Sequence, residues 1–194
     1  MKRLLITIMV LCFAVSVVSA GLISFGFGAH ALNTLPYNNE NPELGTAEDW
    51  QFGGEMRLGV LFAEATASGV YDASNDMITG LFTVGTSLSL FDLLHLGVGV
   101  GPAFAVTMAD GEVDWAYGNS SGSGYTTASD IGGVFDNGLI HYRAHGDMKL
   151  GRLSFGLTLQ VPSDGYTMAD NDVLELMPDW DNAKMGASLL FWLF

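Results

Sequence analysis

WQFGGEMRLGVLFAEATASGVYD, residues 50–72, decides the fold. The run has no obvious break. Phe52, Gly54, Met56, Leu58 and Val60 share one face, and Gln51, Gly53, Glu55, Arg57 and Gly59 share the other. A period of two is the mark of a strand with one apolar face. As one strand the run is too long for a small barrel, whose strands need about 9–11 residues to cross a bilayer at a tilt. A tight turn near Leu61–Ala63 divides it into two strands. The second then runs from Ala63 to Tyr71, with Glu64, Thr66 and Ser68 on its polar face.

Similar alternation extends to both sides. Upstream, GLISFGFGAHAL (21–32) sets Ile23, Phe25, Phe27, Ala29 and Ala31 against Ser24, Gly26, Gly28 and His30. Downstream, strands are expected over 78–90, 96–108, 139–150, 153–161 and 183–194. With 50–72 divided, the total is eight. Short turns are expected at 61–63, 91–94 and 150–152, and longer loops at 33–49, 72–77, 109–137 and 162–182. Short and long alternate strictly, which brings both termini to one end, as in outer-membrane barrels with an even strand number. An undivided run would leave an odd number and separate the termini. The expected fold class is all-β, an eight-stranded antiparallel up-and-down transmembrane β-barrel. Composition agrees: hydrophobic residues make up 49% of the chain, and Gly is frequent at 25 against 5 Pro. Gly-rich alternating strands suit a tight barrel interior.

Lys2 and Arg3 precede an apolar run from Leu4 to Val18, closed by the small-residue site Val18-Ser19-Ala20. This has the form of a secretory signal peptide cleaved after Ala20, leaving 21–194 as one barrel domain. The single Cys, Cys12, lies inside that segment and follows Leu11, so no lipidation site is expected. The barrel is then free of disulfides and of Cys-based catalysis. At the other end, AKMGASLLFWLF (183–194) is apolar on both faces near its terminus. Gly186, Ser188, Leu190, Trp192 and Phe194 share one face; Met185, Ala187, Leu189, Phe191 and Leu193 share the other. This strand is expected to close the barrel against 21–32 and to make the nearby interior partly apolar.

The export signal, the strand pattern and the terminal Phe194 together resemble the small eight-stranded bacterial outer-membrane barrels of the OmpA/OmpX and opacity-protein type. The resemblance implies an outer-membrane location with both termini periplasmic. It also implies contact with outer-membrane lipids and recognition of the strand ending at Phe194 by the outer-membrane assembly machinery. No wall-anchoring domain is expected after the last strand.

The candidate chemistry is a stripe of charge. His141, Arg143, His145, Asp147 and Lys149 alternate along 139–150, and Glu55 and Arg57 lie on the second strand. The second and sixth strands of an eight-stranded barrel face each other across the interior. Arg57 is thereby set opposite Asp147 or His145, and Glu55 opposite Arg143. Side chains fill the interior of so small a barrel, and buried charges must be paired. The expectation is a salt-bridge network that plugs the lumen; a gated proton or ion path is the sharper alternative. His141 and His145 stand about 13 Å apart along one strand, too far to share an ion, so no metal centre or cofactor is expected. No nucleophile, base and orienting group converge, so no catalytic residue is assigned. Gly97-x-Gly99-x-Gly101 continues as a strand and is not read as a nucleotide loop.

The formal net charge is -14, which excludes nucleic acid as a partner. Past the signal segment, Arg57, Arg143, Lys149, Arg152 and Lys184 are the basic residues, all in or beside strands. The loops carry Glu40, Glu43, Glu48, Asp49, Asp110, Glu112, Asp114, Asp130, Asp164, Asp170, Asp172, Glu175, Asp179 and Asp181. The rim is therefore strongly anionic. Asp170, Asp172 and Glu175 form a candidate weak cation-binding loop, because hard cations prefer oxygen ligands. Trp115, Tyr117, Tyr125, Tyr166 and Trp180 suit an interfacial girdle or contacts to a surface ligand. The leading expectation is a non-enzymatic barrel presenting acidic loops for envelope integrity or surface interaction. A narrow channel or carrier for small or apolar solutes comes second, and a lipid-modifying enzyme third.

Overall fold

The computed structural model describes residues 23–34, 46, 49–73, 75–109, 112–118, 125–169 and 173–194. The segment 1–20, expected to be a signal peptide, lies outside them. The elements are β1 (Ile23–Asn33), β2 (Trp50–Val60), β3 (Ala63–Asp72), β4 (Met77–Leu90), β5 (Leu94–Ala109), β6 (Glu112–Gly118), β7 (Tyr125–Ala128), α1 (Ile131–Asn137), β8 (Ile140–Leu150), β9 (Leu153–Pro162) and β10 (Lys184–Trp192).

Eight of these strands form a closed antiparallel wall in the order β1-β2-β3-β4-β5-β8-β9-β10. Strand β10 returns to β1, from Gly26 opposite Trp192 to Leu32 opposite Gly186. The connections are those of an up-and-down barrel, and closure leaves the wall without an edge strand.

The 50–72 run breaks at Leu61–Phe62, and Val60 pairs with Ala63 across the turn. Leu61 has φ 58, Phe91 and Asp92 have φ 55 and 53 in the turn before β5, and Gly151 has φ 67 in the turn before β9. Tight hairpin turns need such left-handed residues so that the strands can keep their twist. Of the four, only Gly151 adopts that backbone without a steric cost. These three short turns lie at one end of the barrel, and the long connections lie at the other.

Residues 109–137 are not the plain loop expected. The backbone of β5 continues to Ala109 and pairs there with β6, and β6 pairs with β7. The alternation Val113, Trp115, Tyr117 favours strand, and the Trp115 ring packs 6.2 Å from that of Phe104. The divergence begins at Pro102. Strand β5 pairs with β8 as far as Pro102 opposite Ile140, and the Ala103 N–H still donates to the Leu139 carbonyl beyond it, so the N–H that proline lacks is missing on the β4 side. The β4–β5 ladder also skips Phe82 and Thr83, which face Pro102 and Gly101. The short helix α1 covers this place. Its Val134 is buried, its Phe135 ring lies 5.8 Å from Phe82, and Asp130 caps it by accepting the Gly133 N–H. The 162–182 connection likewise holds structure: 3-10 turns at Val173–Leu176 and Trp180–Asn182, and a bridge from Ser163 to Pro178.

Polarity runs inside out. Arg57, Asp147, Ser154, Glu55 and Arg143 are buried, while Phe52, Leu157, Val98, Phe155 and Val84 are more than half exposed on the outer wall. On β10 the inward residues are Ser188, Leu190 and Trp192, and Leu189 and Leu193 point out. Trp192 lies against Gly26 and donates its indole N–H to Ser154 Oγ at 2.9 Å. The interior at the short-turn end is thus partly apolar.

Candidate functional site: the interior charge belt

The parity of each strand settles which side chains enter the barrel. On β2 it selects Glu55 and Arg57; on β3, Glu64; on β5, His95; on β8, Arg143, His145 and Asp147; on β1, His30. All eight are buried. The glycines opposite them leave the room. A Cβ on Gly97 would fall on the His145 ring, and one on Gly156 would fall on the Asp147 carboxylate.

Arg57 is the centre of the first half of the belt. Its Nε donates to Glu55 Oε1 and its Nη1 to Asp147 Oδ2, while Nη2 lies 3.4 Å from Ser188 Oγ. Arg143 Nη2 meets the other oxygen of Glu55 at 2.7 Å, and His30 Nδ1 meets it at 3.0 Å. Arg143 Nη1 donates to Ser68 Oγ at 3.3 Å and Nη2 to Thr158 Oγ1 at 3.4 Å, while its buried Nε has no hydrogen-bond partner among the described residues. Two guanidiniums and two carboxylates therefore form one connected group from β2 to β8.

Glu64 is the centre of the second half. Its Oε2 lies 2.7 Å from His95 Nε2, and its Oε1 lies 3.1 Å from His145 Nε2. Ser89 Oγ meets His95 Nδ1 at 2.9 Å. The two imidazole rings stack with centroids 5.6 Å apart, and Trp192 meets His95 edge-on at 5.3 Å. His145 Nε2 also lies 3.8 Å from Asp147 Oδ2, which joins the two halves.

The seven charged residues expected as one network are divided by the barrel. Residues two apart on a strand rise about 6.6 Å, so the stripe from His141 to Lys149 spans roughly 26 Å. Glu55, Arg57, Arg143, His145 and Asp147 meet in the middle. Lys149 is half-buried at the short-turn end, where its Nζ sits 4.4 Å from the centre of the Trp192 ring. His141 stands at the other end, and its buried Nδ1 has no hydrogen-bond partner among the described residues. Sequence reasoning left His30, Glu64 and His95 out of the site. The signals were available: His30 and Glu64 occupy the polar face of their strands, and His95 continues the Gly97, Gly99, Gly101 parity backwards by one step.

Above the belt, the long-loop end holds a cavity of about 860 Å³, with Gln51, Asp72, His141, Gln160 and Lys184 among its walls. At its rim, partial burial and then the nearby Asp72 raise the pKa of the Tyr125 phenol. Asp114, Asp130, Asp164 and Asp181 are exposed on the connections at this end. Asp49 and Asp179 are tied into local caps, accepting the backbone N–H of Thr46 at 2.6 Å and of Asp181 at 3.1 Å. Glu40, Glu43, Glu48, Asp110, Asp170 and Asp172 lie outside the described residues, so of the candidate cation loop only Glu175, in a 3-10 turn, is placed.

Chemically, the belt holds three buried carboxylates, Glu55, Glu64 and Asp147, against two guanidiniums, with imidazoles filling the gaps. Such a group can bind a proton or a cation at Glu64, where the two histidines converge. The sequence matches no protein-family model and no curated protein.

Proposed function

We propose that the chain is a non-enzymatic integral outer-membrane barrel whose lumen is plugged by the charge belt, and that it presents acidic loops at the cell surface for envelope integrity or surface interaction. The observation that carries the reading is the inverted polarity. Exposed Phe52, Leu157 and Phe155 surround buried Arg57, Glu55 and Asp147. Water would favour the reverse, and a lipid-embedded barrel needs this arrangement. In this reading the outer wall contacts outer-membrane lipids, the termini are periplasmic, and β10 with Phe194 addresses the assembly machinery. The short turns face the periplasm and the anionic connections face outward.

The belt supports a sealed lumen because it ties opposite walls together through Arg57–Asp147 and Glu55–Arg143. Planar-bilayer recording tests it. Protein folded into lipid should give no unitary conductance, and reproducible unitary steps would sink the plugged reading. The cavity at the long-loop end favours the second reading, a carrier for small solutes, which would show itself as conductance or as saturable solute uptake by vesicles.

A further inference from the structure

We propose that Glu64, His95 and His145 form a binding site for a divalent transition-metal ion, with zinc the ion best suited to the ligand set. Two imidazoles and one carboxylate are a common three-ligand zinc set, which leaves a fourth position for water. The candidate ligand atoms all lie within 4.8 Å of one another. Around a tetrahedral zinc, ligand atoms sit about 3.3 Å apart, given bonds near 2.0–2.1 Å. The carboxylate oxygens already lie 2.7 and 3.1 Å from the two Nε2 atoms. Small side-chain shifts therefore open the site.

Three further features point to a cation there. His145 Nε2 is buried and close to Glu64, yet it makes no hydrogen bond among the described residues. Ser89 holds His95 through Nδ1, which aims Nε2 at Glu64, the supporting contact expected of a metal-bound histidine. The charge balance is also uneven. Arg57 and Arg143 serve Glu55 and Asp147, whereas the ion-pair partners of Glu64 among the described residues are the two histidines. Neither histidine brings the permanent charge of a guanidinium, and a divalent ion would supply that charge. The spacing of His141 and His145 along one strand hides this site, because its ligands come from three strands.

The test uses the untagged full chain folded in detergent, dialysed free of metal and titrated with zinc chloride by calorimetry. The expected result is one ion per chain, with an X-ray absorption spectrum showing two imidazole nitrogens and oxygen ligands. Ser89→Ala should weaken binding by about 10-fold, and His95→Gln by more than the roughly 100-fold upper range for a supporting contact. His141→Gln, in the distant cavity, should keep the wild-type affinity. Absence of stoichiometric binding, or coordination by oxygen alone, overturns the site. Loss of affinity in His141→Gln with retention in His95→Gln overturns it too. If His95→Gln does not fold, the wild-type absorption spectrum decides.

Discussion

Arg57→Met tests whether the belt is a connected group or a set of separate contacts. Arg57 is fully buried and holds both Glu55 and Asp147. Each contact is worth about 5 kcal/mol of gross attraction at 3 Å and an effective dielectric constant near 20, most of it offset by desolvation. Removing the guanidinium affects its two partners unequally. Glu55 keeps Arg143 at 2.7 Å and His30 at 3.0 Å, whereas the ion-pair partner left to Asp147 among the described residues is His145 at 3.8 Å. The stranded Asp147 charge sets the cost, which for a broken buried pair is about 3–5 kcal/mol. Asp147→Asn leaves no stranded carboxylate and should cost about 1–3 kcal/mol. In the double variant, the charge that Arg57→Met strands is already gone. The double variant should therefore be less destabilised than the sum of the singles, by about 2–3 kcal/mol. Urea unfolding in lipid vesicles, followed by tryptophan fluorescence and extrapolated linearly, gives the four free energies. Additivity within about 0.5 kcal/mol would refute the coupling.

Two further outcomes follow from the glycines. Gly97→Ala places a methyl group on the His145 ring and should cost about 1–3 kcal/mol in the same assay, while Gly54→Ala, whose new Cβ meets only Gly28 O at 3.6 Å, should be near neutral. Gly151→Val forces a β-branched residue to φ 67 and should cost about 1–2 kcal/mol although the site is open space; equal stability of Gly151→Val and wild type would remove the turn from the account of the fold.

The strand plan was legible because period-two alternation and strict alternation of short and long connections constrain each other. The division of 50–72 follows from counting, and the turn lies at Leu61–Phe62. The Arg57–Asp147 and Glu55–Arg143 contacts lie between strands that strand order alone sets opposite each other. What escaped has physical causes. Strand β5 begins at Leu94, two residues earlier than the glycine alternation suggests, so His95 was assigned to no strand. Glu64 was read on its face, but its partners come from β5 and β8, and sequence neighbours do not reveal them. The β6–β7 hairpin was hidden in Gly- and Ser-rich surroundings. It pairs with the stretch of β5 that runs on past the β5–β8 ladder, which is a tertiary effect.

The belt also bears on how the wall becomes a ring. Arg57–Asp147, Glu55–Arg143 and Glu64–His145 join strands that share no ladder. In an uncurled sheet β2 and β8 lie four strands apart, roughly 19 Å, so none of these contacts exists until the sheet has rolled up. Consecutive hairpins form by local pairing, whereas the last seam, β1 against β10, must pay the entropy of joining opposite ends of the chain. The belt rewards only that final step. A half-rolled cylinder keeps Arg57–Glu55 within β2 but leaves Asp147, Arg143 and Glu64 without their cross-barrel partners, and this penalty sharpens closure.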